Sequence, residues 1–289
     1  MQNKIAIFDS TLRDGAQAEG ISFSVKDKLK IVKLLDELGV SYIEAGNPGS
    51  NPKDLEFFDD VKKLSLKNAK LTAFGSTRRR GITVKEDGNI KSLVKANTDV
   101  VTIFGKTWDF HVTDIIKTTL KENLEMIRET ISYFKALNKE VIYDAEHFFD
   151  GYKGNMEYAL ETLQAAFEGG ADSLVLCDTN GGTFPNEVYE ITKMVSERFP
   201  ISIGIHTHND SGMAVANSIM AVEAGADHVQ GTYIGFGERC GNANLSSIIP
   251  SLQIKKQLQC IPDKQMAKLT TTARIMAEIA NVSIKDDMP

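Results

Sequence analysis

Short runs rich in Val, Ile, Leu and Phe recur along the chain, each followed by a longer stretch in which apolar residues return every three or four positions. The first pattern predicts buried strands over 5–9, 41–46, 70–75, 99–104, 140–146, 172–178, 201–207 and 228–234. The second predicts amphipathic helices over 25–38, 53–65, 88–96, 121–137, 155–168, 185–198, 211–224 and 244–257. Eight βα units in unbroken alternation fit an α/β fold closed as a (β/α)8 TIM barrel, whereas a doubly wound sheet needs fewer.

Three segments share one grammar. In ELGVSYIEAG (37–46), EGGADSLVLCD (168–178) and EAGADHVQGTY (223–233), a helix runs into glycine and an apolar strand follows at once. Such glycines supply left-handed helix ends, which places tight αβ turns at one end of the barrel. No Pro- or Ser-rich linker divides the chain. The expected organisation is a catalytic barrel over 1–260, followed over 261–289 by one extra helix (266–284) and a polar tail that opens a further C-terminal region.

The residues that follow each strand then share the C-terminal mouth, where barrel enzymes carry their sites. Those positions are polar: Arg13, Asp14 and Gln17; Glu44 and Asn47; Ser76 and Arg78; Lys106 and His111; Glu146 and His147; Asp178, Thr179 and Asn180; His206, His208, Asn209 and Asp210; and Glu238, Arg239 and Asn242. Within GIHTHND (204–210), residues i and i+2 of a strand point to the same side, so His206 and His208 can converge on one point. Asp14 is the natural third ligand and Asn242 a fourth oxygen for a divalent ion such as Zn2+, Mn2+ or Mg2+. The alternative is a histidine pair satisfied by neighbouring carboxylates. Glu146, at the end of an apolar strand and beside aromatics in YDAEHFFDG, is a candidate proton-transfer group whose pKa desolvation would raise. Arg13 could polarise a carbonyl or serve as an ion-pair partner, and Thr179 could hold a substrate carboxylate or merely cap a helix.

Composition narrows the partners. A net charge of -6 leaves no electrostatic footprint for nucleic acid, and no apolar run reaches the length of a membrane span. Cys177, Cys240 and Cys260 are isolated and odd in number, which argues against a disulfide framework and fits the cytoplasm. The STRRRG run (76–81) reads as a solvated surface, with phosphate contact as the sharper alternative. The GFGERCG segment lacks the rest of a dinucleotide fingerprint, and nothing local marks Cys240 as a nucleophile.

DSTLRDGAQ, GIHTHND and GERCGNANL resemble the signature segments of the acyltransferase family of 2-isopropylmalate, homocitrate and citramalate synthases, with hydroxymethylglutaryl-CoA lyase as a distant relative. Further segments, FGSTRRRGI, FGKTWDFHV and DAEHFFDGYK, look most like the bacterial citramalate-synthase type. Ala45 and Asn47 depart from that type, where glycine and tryptophan are expected, and leave the choice of 2-oxo acid open. The resemblance implies a homodimeric enzyme that condenses acetyl-CoA with a short 2-oxo acid, pyruvate giving citramalate. The alternatives are isopropylmalate or homocitrate synthesis, or a metal-dependent lyase or aldolase. It further implies Asp14, His206 and His208 as metal ligands with Asn242 as an added contact. Arg13 would polarise the keto oxygen, Thr179 would hold the substrate carboxylate, Gln17 and Glu44 would line the substrate pocket, and Glu146 would act as base on the acetyl methyl.

Overall fold

The computed structural model describes residues 4–50 and 52–284. The outer limits of both expected domains, at 1–3 and 285–289, lie outside the described residues. Eight parallel strands, β1 (Ala6–Asp9), β2 (Tyr42–Glu44), β3 (Lys70–Ser76), β4 (Val100–Lys106), β5 (Glu140–Glu146), β6 (Ser173–Asp178), β7 (Ser202–Thr207) and β8 (His228–Gly231), pair in chain order and close when β8 joins β1. The TIM barrel read from the periodicity is therefore the fold.

The helices alternate with the strands: α1 (Val25–Leu38), α2 (Pro52–Val61), α3 (Gly88–Ala96), α4 (Leu120–Ala136), α5 (Phe148–Gly154), α6 (Met156–Gly169), α7 (Pro185–Arg198), α8 (Ala214–Glu223), α9 (Leu245–Pro250) and α10 (Leu269–Ala280). Local chemistry sets their ends. Ser24 accepts from the Asp27 N–H while the Asp27 carboxylate accepts from the Ser24 N–H, a capping box that starts α1. The helices of the repeated grammar end as expected, with left-handed Gly39 after α1 and Gly170 after α6.

Several boundaries differ from the periodic reading by a few residues, and three of them have a local cause. The strand predicted to 234 stops at Gly231, because the chain turns sharply through Tyr233–Gly235 with Ile234 at φ 59°. The helix expected over 244–257 breaks after Pro250, and a wider turn over Ser251–Lys255 follows. The last helix begins as a tight turn over Asp263–Lys268, and α10 proper ends at left-handed Asn281. The short α5, which periodicity did not reveal, lies directly after β5 and begins from His147 at φ 56°.

Apolar packing occurs on both surfaces of the barrel. Outside, residues such as Ile31, Leu35, Phe57, Ile127, Phe134, Leu163 and Ile248 fill the space between strands and helices. Inside, Phe8, Val100, Ile142, Val175 and Cys177, with Tyr42 against them, plug the lower half. The plug excludes water beneath the mouth, so polar groups above it work in a low dielectric.

Candidate active site

The mouth holds a cavity of roughly 360 Å³ bounded by Arg13, Asp14, Gln17, Asn47, Phe74, Phe104, Asp144, Glu146, Cys177, Thr179, His206, His208 and Glu238. A cavity of roughly 620 Å³ opens at the opposite end, around Lys4, Ser41, Tyr42 and Asp227. The chemistry separates them: among the described residues, the cluster of His, Cys, Asp or Glu able to hold a metal is Asp14, His206 and His208, at the mouth.

His206 is on β7 and His208 just beyond its end, while Asp14 lies in the turn that follows β1; all three are buried. The Nε2 atoms of the two imidazoles lie 3.3 Å apart, and Asp14 Oδ2 lies 3.2 Å from His206 Nε2 and 3.8 Å from His208 Nε2. Donor atoms bound at about 2.0–2.1 Å to one tetrahedral ion are separated by about 3.3 Å. Among the described residues, the buried Asn242 side-chain oxygen and His208 Nδ1 have no hydrogen-bond partner. Asn242 pairs with His208 through an isolated backbone bridge. The donor set, its spacing and the orphaned amide oxygen fit a divalent ion.

Electrostatics prepares these groups as ligands. Burial, with His206 alongside, lowers the His208 pKa to about 3, so its ring is neutral. Burial raises the Asp14 carboxyl, but the Arg13 charge and the His206 hydrogen bond more than reverse this and hold it well below the usual carboxylate range. Burial lowers His206 as well, and Asp14 outweighs it, leaving the ring above its ordinary value. These two opposing shifts describe one shared proton position, which a cation would take over.

Arg13 is fixed from two sides. Its Nε donates to Glu44 Oε2 at 2.6 Å, and its guanidinium carbon lies 3.8 Å above the centre of the Phe74 ring. Glu44 is fully buried, bonded to the Ser10 hydroxyl, and does not border the cavity. Where β2 ends, Glu44 points inward and supports Arg13 through Oε2, while its Oε1 is buried without a hydrogen-bond partner among the described residues. Gln17 borders the cavity. Thr179 does too, and its hydroxyl oxygen accepts from the His147 N–H at 2.9 Å, which leaves the hydroxyl hydrogen to donate.

Glu146 departs from expectation. Its neighbours Phe148 and Phe149 are fully buried in the outer core, and Glu146 itself is a quarter exposed and ion-paired with Lys106. The apolar niche predicted from YDAEHFFDG is absent, because strand alternation and α5 carry the phenylalanines away from the mouth. His111 meets the His147 ring edge-on at 4.5 Å and lies 4.8 Å from Trp108 between ring centres, and the three form an aromatic wall. The phosphate reading of the arginine run fails at Arg78, which is buried against α4, with Nε 2.6 Å from Glu129 and Nη1 2.7 Å from Glu122.

The glycine-rich segment after β8 serves packing. Gly237 has φ 157°, and a Cβ there would stand 2.2 Å from Asn242 Nδ2. Arg239 grips both Asp210 oxygens at 2.7 and 2.9 Å and donates to the Thr179 carbonyl at 2.7 Å, which joins the loops after β6, β7 and β8.

A model of the HMGL-like family matches residues 4–278. The chain belongs to the HMGL-like family. Among its HMGL-like relatives, an (R)-citramalate synthase from Aquifex aeolicus is 60% identical over the whole chain and 55% of that protein's length. One from Geobacter sulfurreducens is 57% identical over 96% of this chain and 53% of its own length. The chain thus spans about half the length of these curated relatives. The HMG-CoA lyase structure from Bacillus subtilis superposes with a TM-score of 0.82 at 21% identity, covering 99% of this chain and 98% of that one; at that identity the likeness establishes the HMGL-like fold alone.

Two residues of the HMGL-like mouth escaped the sequence reading. Asp144 lies two positions before Glu146 on β5, and Gln230 stands opposite His206 on β8. The signal was available: each is a polar residue inside an apolar strand. Asp144 also shares the inward face of Glu146 by period-two alternation.

Proposed function

We propose that this chain carries the active site of a citramalate synthase, an acyltransferase that condenses acetyl-CoA with pyruvate. The observation that carries this reading is the buried Asp14–His206–His208 triangle beside a pinned Arg13, in a chain 60% identical along its whole length to an (R)-citramalate synthase. A divalent ion, Zn2+, Mn2+ or Mg2+, held by Asp14, His206 and His208 with Asn242 adjoining, would act as Lewis acid and template for the 2-oxo acid.

The remaining roles belong to the chain. Arg13 stabilises the negative charge that gathers on the keto oxygen, and its pinned geometry means that it need not reorganise. Thr179 donates its free hydroxyl hydrogen to the substrate carboxylate, and Gln17 makes a further polar contact. Glu146 takes a proton from the acetyl methyl, the methyl carbon bonds to the keto carbon as its C=O π bond opens, and the resulting alkoxide takes up one proton, balancing the one removed, to become the hydroxyl. Hydrolysis of the thioester then releases CoA. Glu44 acts through Arg13. The reading includes a homodimer working in the cytoplasm, and a catalytic barrel over 1–260 with residues from 261 leading into a further region. Among the described residues no helix is long and apolar enough to cross a membrane.

The test is release of CoA thiol from acetyl-CoA with each metal, over pyruvate, 2-oxoisovalerate, 2-oxoglutarate and glyoxylate. Release that requires pyruvate and disappears in Asp14→Ala supports the proposal. Release with 2-oxoisovalerate instead would move the chain to isopropylmalate synthesis. Sedimentation velocity tests the dimer.

A further inference from the structure

A buried polar chain crosses the top of the barrel interior from β5 to β8 and β7. His206 Nδ1 lies 2.9 Å from Gln230 Oε1, and Gln230 Nε2 lies 2.9 Å from Asp144 Oδ1. Gln230 has no exposed surface, and Asp144 and His206 are almost as deeply buried. Water therefore offers these groups little alternative, and each donor needs its protein acceptor.

The order of donors and acceptors follows from chemistry. Gln230 Nε2 is the amide end that faces Asp144 Oδ1, so the NH2 group donates and the carboxylate accepts. The other end of Gln230 is then a carbonyl, which can only accept, so His206 Nδ1 must carry a hydrogen. A neutral imidazole has one N–H, which leaves the Nε2 lone pair pointing at the position shared with Asp14 and His208. The backbone register supports the arrangement, since His206 and Gln230 are direct partners across β7 and β8. His208 provides the contrast: its Nδ1 is buried and has no partner among the described residues, so nothing there selects its tautomer.

We propose that Gln230, oriented by Asp144, is a positioning residue that holds His206 as the Nδ1–H tautomer and thereby presents Nε2 as a metal ligand. This rests on the reading of Asp14, His206 and His208 as a metal centre, and on no step of the condensation. Asp144 thus has a part that its place on the cavity wall alone does not reveal: it sets the direction of an amide that reaches across the barrel.

The test uses the whole chain with Zn2+ and needs no turnover. Zn2+ affinity is measured by competition with a chelating dye, and nitrogen-15 NMR of the histidine rings reports which nitrogen carries hydrogen; the chain has only five histidines, so the spectrum can be assigned. In the wild type, His206 should show a slowly exchanging Nδ1–H and bind through Nε2. Gln230→Met removes both hydrogen bonds and should weaken Zn2+ binding by about 10- to 100-fold while the Nδ1–H becomes fast-exchanging. The double variant Gln230→Glu/Asp144→Asn restores a donor opposite each acceptor: the new amide on β5 donates to the new carboxylate on β8, which in turn accepts from His206. It should recover affinity to within a few fold and slow the exchange again.

Wild-type affinity in Gln230→Met, or ligation of Zn2+ by His206 Nδ1, would overturn the inference. If Gln230→Met does not fold, the wild-type spectrum still decides. Failure of the wild type to bind Zn2+ would overturn the metal reading itself, whereas absent CoA release with a normal spectrum would count against the proposed reaction alone.

Discussion

The barrel interior contains two buried layers only a few residues apart along each strand, and each holds histidine on opposite terms. In the lower layer His228 stacks on Tyr42 at 5.6 Å between ring centres, touches Ser173 through Nδ1, and leaves Nε2 unpartnered among the described residues. Burial alone lowers its pKa to about 3. In the upper layer His206 is equally buried, yet Asp14 beside it moves its pKa the other way. The same side chain is an aromatic filler where its neighbours are Phe8 and Tyr42, and a charged-site component where they are Asp14 and Gln230. What distinguishes a structural histidine from a candidate ligand here is the chemistry of its neighbours, since depth of burial is the same.

If the division is real, substitutions in each layer should damage different properties. Phe8→Ala in the lower layer should lower the unfolding free energy by about 3–5 kcal/mol, measured by urea titration, with Zn2+ affinity of the folded protein unchanged. A comparable loss of affinity would show that the layers are not separate. Arg13→Met in the upper layer should reduce kcat by about 10²- to 10³-fold in the CoA-release assay, because it removes a fixed donor from the developing negative charge. A change confined to KM would assign Arg13 to binding alone.

The pH response sharpens the contrast. A histidine whose folded pKa is depressed stabilises the protein fully above its unfolded pKa of about 6.5, and that contribution is lost as pH falls toward 3. The unfolded chain binds the proton and the folded one resists it. Between pH 6 and 4, wild type should therefore lose stability faster than His228→Phe, by up to about 1.4 kcal/mol per pH unit. Parallel curves in denaturant titrations would mean that the ring reaches water. The smallest effect expected is that of Cys240→Ala, an exposed thiol outside both layers: CoA release should stay within about twofold of wild type.

The barrel was legible because its evidence is repetitive: strand and helix periods recur eight times, and the helix ends over 25–38, 88–96 and 185–198 coincide with the observed ones. Asp14, His206 and His208 were legible because a strand's two-residue period and the shared mouth together predict convergence. The position of Glu44 was not, since whether an inward carboxylate meets substrate or a neighbouring guanidinium depends on how far β2 extends. The surroundings of Glu146 were not legible either, for the sequence puts aromatics next to it while the fold sends Phe148 and Phe149 into the outer core. Gln230 and Asp144 touch across 86 positions of chain, a separation that no local period encodes.

The Arg239 clasp has a mechanical consequence. One guanidinium rivets the ends of three consecutive staves, so the half of the rim that carries both imidazoles is tied together as a single plate. The neighbouring staves are joined to that plate in turn, β4 to β5 by Lys106 with Glu146 and β5 to β6 by the His147 N–H on Thr179, so a bulky reactant entering the mouth would meet a continuous braced wall from β4 round to β8.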